Sequence, residues 1–476
     1  MIYRGIFILM SVFLSKGVVF AENNNPKVVV IGGGLAGLTT AYRLHQRDMD
    51  VELYEARNRV GGRVFSVNIL GSIAELGAQN ITDGGDASNI LHLIHELNLE
   101  LTENKLLLNH SFFDGKDLIS MKEALSKWLV DREELKVKLD KLKSSCRNMK
   151  EVLDELFDLD SILYKNIATR LAAYEGGSVE KLSPEYIETL FWMLTGGLCS
   201  VHRDDSVSFL SIKGGNSQLP EKIAEFLGSK LHMKMPLTRI SKNIQDKYIL
   251  TFEDGNQVMA DILILAIPCS VFEQIDFQIN DIEKSRLNAM KDLPYGTNAK
   301  ILIPFSGKPL KKINLVQDNT VSFFGNDSIL TLYCTGKIGL FLDNEISDIY
   351  MHFRASFDEV FRDLIFTSSR AVYAKDRAFI NYDTPVGYSW PNDQYARGSY
   401  SYIGAGQEEI LMSTCEENGE IFKELFAPVK GRLYFVGEHT VINEDIRGTM
   451  EAACESGERC ARSILKKYAN SLSSKK

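Results

Sequence analysis

KVVVIGGGLAGLTTAYRLHQRDMDVELYEARNRVGGRVFS, residues 27–66, carries the pattern of a nucleotide-binding βαβ unit. Four apolar residues, 28–31, form a short strand, and Gly32, Gly34 and Gly37 follow in G-x-G-x-x-G spacing. A helix is expected over 35–47 and a second strand over 51–54, ending at Glu55. The first glycine makes the tight turn, the second lets backbone approach a pyrophosphate, and the third lets the helix pack closely on the strand. The helix N-terminus, with Leu35 and Ala36 in its first turn, then faces the anion. Glu55 is placed to accept hydrogen bonds from a ribose. A glycine-rich turn in an unrelated α/β unit would leave Glu55 unexplained, so these residues together predict dinucleotide binding.

The remaining composition sets bounds on that reading. With 476 residues, 45% of them apolar and 25% charged, the chain is long enough for two or three globular domains. A formal charge of −9 offers no dominant basic surface, which disfavours a nucleic-acid partner. The same charge serves ordinary solubility or attracts cationic substrates. Residues 1–21, with Arg4, an apolar run over 6–14 and a small residue at Ala21, read as a secretory signal cleaved after Ala21. An uncleaved anchor is disfavoured, because the apolar run is shorter than the roughly 20 residues a span needs. The mature chain is therefore expected to be exported, periplasmic or secreted, without stable membrane insertion. Seven cysteines, at 146, 199, 269, 334, 415, 454 and 460, show neither a CxxC pair nor any metal-ligand spacing. Cys454 and Cys460 fall on different faces of one predicted helix, which argues against a bridge between them.

NAD and FAD both use such a unit, and the residues after Glu55 distinguish them. Arg59, Gly61, Gly62 and Arg63 follow the ribose acid directly. Two glycines permit a second close approach of backbone to the cofactor, and an arginine there neutralises pyrophosphate charge. The pattern E-A-x-x-R-x-G-G-R resembles the second dinucleotide motif of the FAD-dependent amine oxidase and related desaturase families. That resemblance implies FAD, and it extends over about residues 27–467.

Between 81 and 207 the chain reads as charged amphipathic helices, with a coiled-coil partner role as the rival interpretation. Gly214 and Gly215 then precede a helix, Asp254-Gly255 marks a hairpin turn, and 262–267 reads as a buried strand. The order resembles the amine oxidases, whose FAD domain is built from separated pieces. The expected fold is α/β, a Rossmann-type FAD-binding domain assembled from 22–80, 208–290 and 396–470. An α+β substrate domain would take 81–207 and 291–395, leaving 471–476 as a tail.

The chemistry rests on a few further positions. Lys300 adjoins the apolar strand 301–304; on residue pattern alone such a lysine sits at a strand edge or snorkels to water. By resemblance it falls on the family's lysine that holds a water against the flavin N5, where burial would depress its pKa. Trp390 and Tyr400 read as core aromatics by themselves. In the amine oxidases a tryptophan and tyrosine at this spacing line the space before the flavin, and GSYSY, 398–402, is similar to polyamine oxidases and histone lysine demethylases. Ser399 occupies the position where monoamine oxidases carry the cysteine bonded to flavin, which implies non-covalent FAD. The resemblance also assigns Arg57, Gly77, Ala78 and Leu237 to the cofactor. Strand 433–436 delivers Gly437 and Glu438 to the cofactor's ribityl and pyrophosphate region. The helix starting near Thr449 and Met450 aims its positive end at the flavin's pyrimidine ring. Thr449, where monoamine oxidases carry a second tyrosine, resembles the polyamine oxidase pattern and leaves room for a longer amine.

The function implied is an FAD-dependent amine oxidase acting on a primary or secondary amine of polyamine or monoamine type. Hydride would pass from the α-carbon to flavin N5, water would hydrolyse the imine, and O2 would be reduced to H2O2. Four alternatives stand beside it. An L-amino acid oxidase would need a cation for the substrate carboxylate, and Gln79-Asn80 follow Gly77-Ala78 where that group tends to place arginine. The others are a flavoprotein binding module with an idle oxidase site, a carotenoid-type desaturase and an NAD-dependent dehydrogenase.

Overall fold

A computed structural model describes residues 26–81, 87–107, 110–128, 131–195, 206–310, 312–376 and 380–473. The segment 1–21 expected to be an export signal, Cys199 and residues 474–476 lie outside the described residues. The strand Lys27–Ile31 is the third of five in a wholly parallel sheet. Asp50–Tyr54 and then Leu231–His232 lie on one side of it, Ile262–Leu265 and then Leu433–Phe435 on the other. A strand covered on both faces must be apolar throughout, which is why Val28, Val29 and Val30 are all 0% exposed. The chain leaves Lys27–Ile31 towards one side and returns on the other, so the crevice where ligands bind such sheets opens beside its carboxyl end. Helix Leu35–His45 covers one face together with Met450–Ser473. The two helices approach so closely that a side chain at Gly457 would meet the Ala36 carbonyl oxygen. Met450–Ser473 runs past 470 into the stretch expected to be a tail.

The second unit is an eight-stranded sheet in the order Val372–Tyr373, Val386–Ser389, Ala299–Pro304, Ile329–Cys334, Thr320–Phe324, Asn314–Gln317, His110–Phe113 and Leu118–Ser120. Alternation along Ala299–Pro304 sends Ile301 and Ile303 against the long helix Gly336–Val360. Leu302 faces the other way, into a cluster with Phe65, Tyr388 and Trp390. A third core gathers Leu135, Leu139, Met149, Ile167, Leu171 and Leu190 from helices between 132 and 194.

The segment 81–207 departs from its all-helical reading. Among the described residues six α-helices occur there, but so do the strands Leu101–Leu107, His110–Phe113 and Leu118–Ser120. The first pairs with Ser206–Ile212 and the second with Asn314–Gln317, partners that are remote in sequence and invisible to local periodicity. Helix Ser88–Glu96, assigned on sequence to the substrate segment, buries Ile90, Leu93 and Ile94 in the core of the parallel sheet. The Glu451 carboxylate accepts from the Asn89 and Ile90 backbone amides at that helix's N-terminus, tying it to Met450–Ser473. The Asp254-Gly255 turn joins Tyr248–Phe252 to Gln257–Ala260 as an antiparallel hairpin, with Gly255 at φ 83°. The six described cysteines are unpaired, and Cys269, Cys334, Cys454 and Cys460 are buried. Among the described residues no helix is long and apolar enough to cross a membrane.

Candidate active site

One cavity of about 1070 Å³ opens at the carboxyl ends of the parallel strands and runs to the inner face of the eight-stranded sheet. Gly32, Gly34, Leu35, Ala36, Glu55, Arg57, Gly62, Arg63, Gly77, Ala78, Leu237, Gly437, Glu438, Thr449 and Met450 line it, as do Lys300, Trp390 and Tyr400. Gly37 does not line it. A side chain there would strike the Gly32 carbonyl and the Ala266 methyl, so its role is the close packing of helix on strand.

The cofactor wall is mostly backbone. Gly34 precedes helix Leu35–His45 with no side-chain cap and no acid in the first turn, and open space surrounds its missing Cβ. A helix N-terminus left uncapped in this way presents amides and partial positive charge to an anion. Gly61 donates from its amide to the Gly33 carbonyl (2.8 Å), so the second glycine pair buttresses the first loop. Glu55 accepts from the Gly33 amide (2.6 Å) and the Arg57 amide (2.8 Å), which fixes its carboxylate at the strand end. A carboxylate has about four lone-pair sites, so capacity remains for hydroxyls. Arg63 pairs with Glu438 (2.9 Å). Glu438 is buried and also accepts from the Ser401 amide (3.1 Å) and hydroxyl (2.7 Å). Burial pushes the Glu438 pKa up, but Arg63, His439, Ser401 and Arg447 outweigh it and hold the carboxylate below its usual range. Burial pushes the neighbouring His439 down to about 4, so its imidazole is neutral. Arg57, expected to touch the cofactor, commits its guanidinium to Asp376 and Asp393, with Asp393 also holding the Tyr388 hydroxyl. This largely buried network clamps the dinucleotide loop to Asp376 and Asp393.

The facing wall is made of side chains. Lys300 is 6% exposed, the second residue of its strand and not at a sheet edge. Its Nζ donates to the carbonyls of Gly77 (2.7 Å) and Glu75 (3.1 Å) and to Gln79 Oε1 (3.2 Å). Burial lowers the Lys300 pKa to about 8, and the buried Glu75 carboxyl opposes that shift. Register places Lys300 opposite Tyr333, whose ring centroid lies 5.8 Å from Nζ, a cation–π distance. Trp390 is fixed by its indole N–H donating to the Leu76 carbonyl (3.1 Å). The Tyr400 hydroxyl reaches the carbonyls of Ala173 (2.7 Å) and Tyr174 (2.9 Å), at the end of helix Ile162–Glu175. Asn298, 1% exposed, joins these parts. Its amide nitrogen lies within reach of Tyr333 (2.8 Å) and Tyr400 (3.2 Å), and its oxygen accepts from Ser399 (3.0 Å). Thr449 caps helix Met450–Ser473, its hydroxyl oxygen accepting from the Ala452 amide (3.1 Å).

Tyr333, Asn298 and the lysine-binding role of Gln79 are absent from the sequence reading. Tyr333 meets Lys300 only through strand register, for which the sequence carries no local signal. Asn298 is two residues from Lys300, and a buried polar residue beside a candidate lysine is a signal that could have found it.

A glycine cradle beneath an uncapped helix, a strand-end acid and a second helix N-terminus fit FAD, and the facing wall fits a flavin oxidase. The chain belongs to the flavin containing amine oxidoreductase family, whose sequence profile matches residues 35–465, and FAD is its cofactor. Ser399 offers no thiol for a thioether, which is consistent with FAD held non-covalently. Relatives include an L-amino-acid oxidase of Pseudechis australis, 24% identical, covering 93% of this chain and 87% of that one. Flavin-containing amine oxidase B of Sus scrofa is also 24% identical, over 92% of this chain and 86% of its own. Among solved structures, putrescine oxidase bound to putrescine superposes with a TM-score of 0.69 at 17% identity, covering 93% of this chain and 99% of that one. Cyclohexylamine oxidase from Brevibacterium oxydans gives 0.69, covering 94% and 100%.

Proposed function

We propose that this protein oxidises a primary or secondary amine, of polyamine or monoamine type, with O2 as terminal acceptor and H2O2 as product. The observation that carries the reading is Lys300, a buried lysine held by Gly77, Glu75 and Gln79 on the wall facing the dinucleotide cradle. Bound FAD supplies the two-electron acceptor. The first-turn amides of Leu35–His45 would hold the pyrophosphate and Glu55 a ribose. As an ammonium, Lys300 donates all three protons to its three oxygens; losing one near pH 8 leaves a lone pair on Nζ able to hold a water by its hydrogen. Trp390, Tyr333 and Tyr400 exclude bulk water and offer π faces to a substrate nitrogen. Thr449, small beside Tyr400, leaves room for an extended amine.

Peroxide release by the FAD-loaded protein tests this with putrescine, spermidine, phenylethylamine, tryptamine and several L-amino acids in parallel. Release with at least one amine is expected. Flat traces from protein showing flavin absorbance would overturn the reading and favour an idle site. L-amino acid oxidation is the second reading, favoured by the Pseudechis australis relative and by Arg170 in the cavity lining. Peroxide from the amino acids alone would select it. We also propose export through residues 1–21. N-terminal sequencing of protein from the native host should begin at Glu22, and Met1 would refute cleavage.

A further inference from the structure

Glu175 is a half-buried carboxyl of the cavity that the proposed chemistry leaves unused. It ends helix Ile162–Glu175 and lines the cavity. Its Oε1 accepts a hydrogen bond from the Thr189 hydroxyl (2.6 Å) on helix Ile187–Leu194. Burial raises its pKa to about 7, offset by Thr189, and among the described residues no lysine, arginine or histidine contributes to the shift. The acid nearby in sequence that has a cation, Glu185, takes Lys143 (2.7 Å). A carboxyl partly withdrawn from water, with no cation beside it among the described residues, carries a desolvation cost that a bound cation would offset. Beside it on the same lining stand Tyr174 and Trp192, ring centroids 6.0 Å apart, whose faces suit an alkylammonium group. Its position relative to the aromatic wall is fixed, because the Tyr400 hydroxyl is tied to the carbonyls of Ala173 and Tyr174 immediately before it.

We propose that Glu175 recognises a second, protonated nitrogen of the substrate, so that the preferred amines are diamines or longer polyamines spanning from the Lys300 wall to the Tyr174–Trp192 pair. This rests on the amine-oxidase reading and narrows it. The ligand is defined by its chemistry: two cationic nitrogens joined by an apolar chain that crosses the aromatic part of the cavity.

The test compares kcat/KM for α,ω-diamines and n-alkylamines of matched chain length in the FAD-loaded protein. At one or more lengths the diamine should be favoured by ~10-fold or more, the scale of a desolvated charge pair. Glu175→Gln should bring that ratio close to one, and Glu175→Asp should retain a preference. An unchanged ratio in Glu175→Gln, or a wild-type preference for the monoamine, overturns the assignment. Failure of the oxidase reading looks different, since neither amine series would then reduce the flavin. Should Glu175→Gln not take up FAD, competition in the wild-type protein decides. An α,ω-bis(trimethylammonium) alkane should inhibit at lower concentration than the mono(trimethylammonium) alkane of equal length, and equal inhibition overturns the proposal.

Discussion

The cofactor wall and the substrate wall enclose one cavity but are vulnerable in opposite ways. On the cofactor side the working atoms are backbone amides in the uncapped first turn of Leu35–His45, approachable because side chains are missing at Gly32 and Gly34. On the substrate side they are polar side-chain atoms, Lys300 Nζ, the Asn298 amide and the Tyr333 and Tyr400 hydroxyls, each placed by strand register or by a helix end. The first wall should therefore fail when an atom is added and the second when one is removed. Substitutions of each kind can break that contrast.

The largest effect is expected at Gly37. A valine there must displace the Gly32 carbonyl or Ala266, backbone and core that have nowhere to move. Overpacking of this kind costs about 1–3 kcal/mol and occasionally more, and here it would also deform the pyrophosphate loop. Gly37→Val should yield little soluble protein and no flavin absorbance after reconstitution. A yellow, folded Gly37→Val protein would show that the cofactor wall tolerates added atoms.

Asp393 lies at the seam between the walls. Removing it leaves Arg57 buried with half its counter-charge, and breaking a buried pair costs about 3–5 kcal/mol. Asp393→Ala should lower the denaturation midpoint and loosen FAD, read as faster flavin release on dilution, although residue 393 lies far in sequence from the dinucleotide motif. Stability equal to wild type would remove the clamp from the account.

On the substrate wall, Lys300→Met should slow flavin reduction or reoxidation by about 100-fold, the scale of a positioned proton-transfer group. With its pKa lowered to about 8, Lys300 is protonated below that pH and neutral above it. If the neutral amine is the working form, kcat at saturating amine rises as pH increases through about 8, and the variant loses that rising limb. Unchanged stopped-flow rates for both half-reactions would end the assigned role.

The same contrast explains what could be read from residues alone. Gly32, Gly34, Gly37 and Glu55 act within one contiguous stretch, where spacing and geometry are nearly the same thing. The parallel strands were visible because burial on both faces demands unbroken apolar runs such as 28–31 and 262–265. Tyr333 was not visible, because it meets Lys300 from a strand remote in sequence, and Asn298 was marked only by its place two residues before Lys300. The strands Leu101–Leu107 and His110–Phe113 were missed for the same reason: their pairing partners lie at 206–212 and 314–317. Arg57 shows the opposite limit, where a motif position was legible but its guanidinium went to Asp376 and Asp393.

Thr449 belongs to both walls and gives the smallest, most discriminating test. Its hydroxyl donates to the Ile446 carbonyl (2.6 Å) and accepts from the Ala452 amide, capping the helix whose N-terminus lines the cavity. Its side chain also lines the cavity that Tyr400 lines, so its volume bears on the space there. Loss of an N-cap hydroxyl costs about 1 kcal/mol, whereas loss of volume changes which amines fit. Thr449→Val keeps the shape and removes the hydroxyl; Thr449→Ser keeps the hydroxyl and removes a methyl group. If capping dominates, Thr449→Val lowers the melting midpoint by a few degrees, Thr449→Ser restores it, and the ranking of amine substrates is the same in both. If volume dominates, Thr449→Ser reorders the substrates while Thr449→Val leaves their order intact, and the residue belongs to the substrate wall alone.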